Sequence, residues 1–485
     1  MQRRTWIALV AAVAVVTMIG AWIVVASPGS SSPSTKAQGD EEISEEARGG
    51  EAGYESESEE EAEHSGHPGV SVTKQDMGPI TRAESRAAAP EAAALGWAGE
   101  IKLGTEDTWE PTIAADPSGP YVYTMYNRFG GPKACKSCPP IPMLLRVSSD
   151  NGVTWGAETY PCPCPGVKSF QYDPVVKVAS NGVVYATWMN KYDMVFSKSS
   201  NHGTTWTAPI EVSGSPWGDK PWIGVSPNGI DVYIAYSTSS DVWIAASHNA
   251  GASFAPAVKL NNDTGRYRYP NGLEVLANGT AVLSASDYPA SNQQASGPIN
   301  IETWRTTNGG TSWTRTVLAQ VFTGVDFETS STTALASDSA GTLVAMYTGA
   351  TALNGNGHVW TKRSTDGGVT WAAAVEVGNG TSNASFPAIT GGSSGVFRMH
   401  YGDNRTGSWN TWYRSSTDGG LTWSVETDIS DADSGATYKT AAGFASEYGD
   451  YGAIDITNTG KTVAVWGEGV SFSTGPGGIW FNRMT

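Results

Sequence analysis

Carboxylates, arginines and tyrosines recur together at spaced positions along this chain. In order they are Glu110, Arg128, Asp173, Lys191, Asp219 with Lys220, Arg266 and Arg268 with Tyr269, Asp287 with Tyr288, Asp326 and Glu328, Asp403 with Arg405, Glu447 with Tyr448, Asp450 with Tyr451, and Glu468. Cleaving a glycosidic bond takes two carboxyl groups flanking it, or a tyrosine nucleophile activated by a carboxylate. Glu447 beside Tyr448 is such a pair, and Asp173 or Asp219 could donate the proton. A sugar that carries its own carboxylate also needs arginines, whose planar fork matches it bidentately. Arg268 and Arg405, with Arg128, could supply them, and Tyr269 and Asp450 complete the candidate substrate-contacting set. Any one of these is equally a loop residue satisfied by neighbours or water, so the fold must show whether they converge.

The elements that would gather them are written in a repeat. Six copies of one phrase run Ser148–Trp155 (SSDNGVTW), Ser199–Trp206 (SSNHGTTW), Ser247–Phe254 (SHNAGASF), Thr306–Trp313 (TTNGGTSW), Ser364–Trp371 (STDGGVTW) and Ser416–Trp423 (STDGGLTW). Their glycines, Gly152, Gly203, Gly251, Gly310, Gly368 and Gly420, recur every 48 to 59 residues, a period of solenoids, propellers and arrays. Asp150, Asn201, Asn249, Asn308, Asp366 and Asp418 can each accept hydrogen bonds from backbone N–H groups a few residues on, while the glycine takes a positive φ. The phrase is therefore a hairpin turn, and its acidic residue is a staple of the fold. The closing Trp or Phe is large enough to wedge into the layer beside it.

Phrase and spacing together resemble the Asp-box (BNR) repeat of sialidase-like β-propellers. Between the phrases a second pattern of alternating apolar strands recurs seven times, beginning at Pro111, Pro174, Pro221, Pro270, Thr329, Pro387 and Tyr451. A third strand leads into each phrase and a fourth leaves it. The seventh unit reaches its third strand at Gly478–Arg483 and stops, and Gly99–Leu103 matches the missing fourth in pattern. The expected fold is all-β: a seven-bladed β-propeller over residues 96–485, closed by its N-terminal strand, which removes exposed edges. The Asp-box hairpins would then lie on one face. The candidate site residues would crowd the mouth of the axis on the other.

The resemblance implies glycoside hydrolysis, with Glu447–Tyr448 as the nucleophile pair and the arginines as the acid-binding group. It also has departures. Family sialidases carry Arg-Ile-Pro before the first box, where this chain has Glu110-Pro111-Thr112-Ile113, and they form six blades where seven are counted here. A non-catalytic propeller that binds glycan or protein on the same face is the alternative, and it predicts clustered exposed aromatics such as Trp217, Trp222, Tyr267 and Tyr269.

Cys135-Lys136-Ser137-Cys138 and Cys162-Pro163-Cys164 fall in loops of that same face, so all four thiols could meet. Two disulfides stapling the loops are the default in an exported protein, with pairing open. A four-thiolate zinc site is the alternative. Apart from it the reading needs no metal, and no cofactor.

The start, Met1-Gln2-Arg3-Arg4, is followed by a charge-free apolar run from Trp6 to Ala26. At that length residues 1–26 read as a signal-anchor helix, or as a signal peptide cleaved after Val24-Val25-Ala26. Residues 27–95 are Ser/Pro-rich, then Glu-rich, then Ala-rich, the composition of a disordered tether. Twelve acids between Asp40 and Glu63 supply most of the net charge of −17. The chain shows no basic patch, so nucleic acid is not an expected partner. The expected partners are carbohydrate or glycoconjugate and, through the N-terminal helix, the membrane. The protein is expected to be a monomer, at the cell surface or secreted.

Overall fold

The computed structural model describes residues 96–485 apart from 105–106, 130–132, 162–169, 215–217, 239–240, 264–265, 290–297, 324–331, 408, 431–438, 441–442, 445–451 and 469–477. The anchor segment 1–26 and the tether 27–95 lie outside the described residues.

Among the described residues seven antiparallel blade sheets form in succession along the chain, and a separate two-stranded sheet, Lys439–Thr440 with Gly443–Phe444, falls between the sixth and seventh. The inner strands of the blades are Asp107–Ala115, Gln171–Val178, Asp219–Val225, Arg266–Val275, Thr333–Ser337, Ala384–Gly391 and Gly452–Ile456. Each is followed outward by a second and a third strand, as in blade 4, where Ala281–Pro289 and Ile299–Thr306 lead to an outer strand Thr314–Val321. Blade 1 has three paired strands, and its outer edge is held by the single bridge Leu145↔Thr159. Blade 7 takes its outer strand from the start of the domain: Ile101 pairs with Phe481 and Lys102 with Trp480. The Trp97↔Met484 bridge continues this seam. The seven-bladed all-β ring expected from the repeat count is thus what the chain forms.

Side chains packed between successive blades make the core. Tyr123, Met125 and Leu145 of blade 1 meet Val176, Val184 and Trp188 of blade 2, and every inter-blade layer repeats this in kind. Alternation of apolar residues on both faces of each middle strand makes this possible, because each sheet is covered twice.

The six repeated phrases close on themselves alike. In the first, Ser148 Oγ donates to Asp150 Oδ1 at 2.8 Å, Gly152 N to Ser148 Oγ at 2.8 Å, and Thr154 N to Asp150 Oδ1 at 2.8 Å. The last bond recurs at Asn201, Asn249, Asn308, Asp366 and Asp418 over 2.9 to 3.1 Å. Hydrogen bonds from the Thr370 and Thr422 side chains and backbones draw the exposed carboxyls of Asp366 and Asp418 down to about 2. These acids are saturated with donors and hold turns.

Each phrase is also tied to its neighbours. Its aromatic packs on the preceding blade: Trp155 lies edge-on to Phe481, Phe254 to Phe196 and Trp313 to Tyr233, with centroids 5.0, 5.0 and 6.1 Å apart. Its penultimate turn carbonyl is reached from the blade before, by Lys198 Nζ to Ala250 O at 2.5 Å, Arg305 Nε to Gly367 O at 2.7 Å and Arg363 Nε to Gly419 O at 2.7 Å. At Gly251, φ is +71° and an added Cβ would run into the Phe196 ring. Gly251→Ala combines backbone strain with overpacking and is expected to lower unfolding free energy by about 2–4 kcal/mol. Urea denaturation measures this, and a change within error would remove the phrase as a source of stability.

Candidate functional site

Because the phrases join third to fourth strands, the inner strands begin on the opposite face, around the axis. Four of them begin with the same irregularity. Glu110, Asp173, Lys220 and Phe386, each directly before a proline, have φ of 52°, 50°, 51° and 56°. Each lies where strand register slips, between Trp109 and Thr112, Tyr172 and Val175, opposite Ala235–Ser237, and between Ser385 and Ala388. In blade 4 the slip between Pro270 and Leu273 contains Gly272, at φ +122°. These are β-bulges, which re-aim side chains beside functional sites, and a left-handed non-glycine residue costs about 1–3 kcal/mol.

The bulges turn charged side chains inward. Glu110, Asp173 and Lys220 are 1%, 4% and 8% exposed. Glu110 Oε2 accepts from Asn127 Nδ2 at 3.0 Å and from the backbone N of Asp173, in the next blade, at 2.7 Å. Asp173 Oδ1 lies 3.8 Å from Lys220 Nζ of the blade after that. Asp219 Oδ1 accepts from Lys220 N at 2.8 Å. A chain of charges thus links blades 1, 2 and 3 at the mouth. Glu110, which stands where the sialidase resemblance has an arginine, serves as its first link.

The three candidate arginines are not gathered into one group. Arg128 pairs with Glu158 at 2.9 Å, and Tyr126 donates to the same carboxylate at 2.8 Å. Arg268 is fully buried, with Nη2 at 2.6 Å from Asp263 and 3.4 Å from Asp287, and Nε at 3.2 Å from Glu302. Arg315 meets Glu302 at 2.5 Å and Asp287 at 2.9 Å, and Arg266 meets Asp287 at 2.8 Å. Arg405 pairs with Asp403 at 2.9 Å and Glu426 at 2.6 Å and stacks on Trp412, 3.9 Å from the ring centroid. Burial pushes the Glu302 carboxyl above the usual range despite Arg315 and Arg268. Burial also pushes Glu426 up, but the hydrogen bonds from Arg405 and Tyr401 prevail and hold it below.

Among the aromatics, Tyr267 is buried in the layer toward blade 5 and Trp222 packs against the cores on both sides of blade 3. Neither forms the exposed cluster expected of a pure binding face, because inner-strand residues point between blades. Tyr269 is half-buried, edge-on to Tyr288 at 5.8 Å. Glu447, Tyr448, Asp450, Asp326, Glu328 and Trp217 lie outside the described residues.

Two titratable groups carry no sequence signal of their own. Burial raises Asp428, on the outer strand of blade 6, to about 6. His400, 1% exposed between blades 6 and 7, has Nε2 3.2 Å from the Ala453 carbonyl, and burial holds it down to about 4. An unfolded histidine titrates near ~6.5, so the unfolded state gains the proton first. His400 therefore costs no stability above pH ~6.5, and as pH falls to about 4 it removes about 3 kcal/mol. Asp428, raised when folded, acts in the opposite sense over the lower part of that window. The unfolding free energy of wild type minus His400→Gln should fall between pH 7 and 4; a flat difference would refute the burial argument.

Cys135 and Cys138 form a disulfide with each other, Cα atoms 5.0 Å apart, so this bond closes one turn and does not staple two loops. Cys162 and Cys164 lie outside the described residues.

No family model and no curated protein matches this chain. Among solved structures, it is similar to a PL25 ulvan lyase, a polysaccharide lyase, at 13% identity over 79% of this chain and 95% of that one, with a TM-score of 0.48. A Dyadobacter fermentans protein of unknown function follows at 13% identity over 79% and 98%, with a TM-score of 0.44. The NanB sialidase of Streptococcus pneumoniae is 12% identical over 80% and 70%, with a TM-score of 0.42. At these values the likeness carries no argument about chemistry, and the seven-bladed ring rests on the chain's own strand pairing.

Proposed function

We propose that this chain is an exported, membrane-anchored propeller that acts on extracellular glycans, hydrolysing glycosidic bonds at the mouth of its axis. The observation that supports this reading is the set of strained pre-proline bulges at Glu110, Asp173 and Lys220, nearly buried charged residues at the strand starts of three successive blades. Strain held at one register in several blades is a cost that a binding or catalytic site repays. Asp173 and Asp219 supply the two carboxyl groups that glycoside hydrolysis requires, with Glu447 and Tyr448 as the adjoining nucleophile pair. In this reading Asp173, 3.8 Å from Lys220 Nζ, orients a water or hydroxyl and Asp219 donates the proton. Arg128, Arg268 and Arg405 already hold carboxylates of this chain, so a neutral sugar suits the site better than a sialoside. The apolar run from Trp6 to Ala26 supports export and anchoring.

One observation favours binding without catalysis. Glu110, Asp173, Asp219, Asp287 and Asp403 each have a partner within the protein. A panel of fluorogenic neutral glycosides and a sialoside, offered to the full chain, separates the readings. Turnover of a neutral member is the expected result. Binding on a glycan array with no turnover would establish the non-catalytic reading, and neither turnover nor binding would end both.

A further inference from the structure

The Cys135–Cys138 disulfide is placed where it adds little to the fold. It spans two residues, Lys136 and Ser137, in the loop joining the second and third strands of blade 1, Val122–Phe129 and Met143–Ser148. The turn is already closed by a backbone hydrogen bond, Cys138 N to Cys135 O at 3.2 Å. A cross-link confers more stability the longer the loop it closes, and this loop is close to the shortest possible. Nor does it join two elements: among the described residues, neither cysteine is part of the clusters that pack blade 1 against blades 2 and 7.

Its two ends differ in the way that directs chemistry. Cys138 is 4% exposed, whereas Cys135 is half-buried and the flanking Lys136 and Ser137 are exposed. Cys135 is therefore the end of the disulfide more open to an incoming thiolate. The Ser137 hydroxyl lies 3.6 Å from Cys135 Sγ, close enough to hydrogen-bond the sulfur, and the Lys136 ammonium adjoins it in sequence. A neighbouring cation draws an incoming thiolate to Cys135, and together with the hydroxyl donor it stabilises Cys135 as the thiolate that leaves in the second exchange.

We propose that Cys135–Cys138 is a thiol–disulfide exchange site on the rim of the mouth, with an extracellular dithiol as its partner. The thiolate of the dithiol attacks Cys135 Sγ, forming a mixed disulfide and releasing Cys138 as the leaving thiolate, which takes up a proton. The second thiol of the partner then attacks its own sulfur in the mixed disulfide and frees Cys135, which takes up the second proton. The protein disulfide gains two electrons and two protons, and the dithiol becomes a disulfide. The inference is independent of the glycan reading, since it requires only this loop. It also gives the rim two covalent states next to Arg128, whose backbone N donates to Pro142 O at the end of the same loop.

The test is native reduction of the full chain by millimolar dithiothreitol, quenched with iodoacetamide and read by peptide mass spectrometry. Three results are expected: Cys135 and Cys138 become alkylated while the far-UV spectrum and thermal midpoint stay within error of the untreated protein; under limiting reductant, the trapped mixed disulfide carries the dithiothreitol adduct on Cys135 and the single alkylation on Cys138; and Lys136→Glu slows reduction several-fold with unchanged folding. A bond that resists until the protein is unfolded, or a dithiothreitol adduct on Cys138 with single alkylation on Cys135, would overturn the proposal. So would a non-reduced peptide map joining Cys135 or Cys138 to Cys162 or Cys164.

Discussion

Replacing Asp173 and Asp219 together by Asn is expected to lower kcat/KM on a neutral glycoside by roughly 100- to 10,000-fold, the usual range for loss of a positioned acid or base. The effect should fall on kcat, because both carboxylates act on the reacting bond more than on ground-state binding. Asn keeps the shape of Asp and the acceptor for Lys220 N, so the strand start at Asp219 is preserved. Removing the Asp173 charge takes away one anion, 3.8 Å from buried Lys220, and about 1–3 kcal/mol of stability should be lost with it. Circular dichroism and a thermal melt therefore accompany the kinetics. A folded double variant with wild-type turnover would remove both residues from the chemistry and leave Glu447 with Tyr448 as the candidate pair.

Arg268→Ala is expected to cost about 3–5 kcal/mol of unfolding free energy, because it removes a fully buried cation from two buried carboxylates. Glu302 and Asp287 are 0% and 1% exposed, and Arg268 meets both. Arg315 remains on both acids, yet its own side chain is 31% exposed and its pairing is screened more by water. A second variant separates the charge from the packing: Arg268→Ala combined with Glu302→Gln removes one stranded anion and should recover part of the loss. Chemical denaturation of the two variants gives the coupling. A loss below about 1 kcal/mol for the single variant would mean that the cluster is water-filled and adds little. Arg268 would then be available to a ligand after all.

The contrast between the hairpins and the arginines shows which parts of this protein were legible in its sequence. Ser148, Asp150, Gly152 and Thr154 satisfy one another within seven residues, so the residue types announce the turn wherever the phrase occurs. Counting the phrases and the strand patterns between them yields seven blades, and the missing outer strand points to the closure by Ile101–Lys102. The proline that follows Glu110, Asp173, Lys220 and Phe386 was equally visible, but the left-handed turn before it was not, since proline usually favours an extended predecessor.

What sequence by itself determined is the part built from short-range hydrogen bonding and strand periodicity: the hairpins, the all-β class and the number of blades. Tertiary structure alone decided what the charged residues touch. Arg128 finds Glu158 30 positions away, Arg268 finds Glu302 34 away and Arg405 finds Glu426 21 away. Those partners are set by register across a blade, and an ionic contact depends on ångström-scale approach that no pattern of residue types specifies. The same holds for Cys135 choosing Cys138 and for His400 losing its water: pairing and burial are properties of position in space.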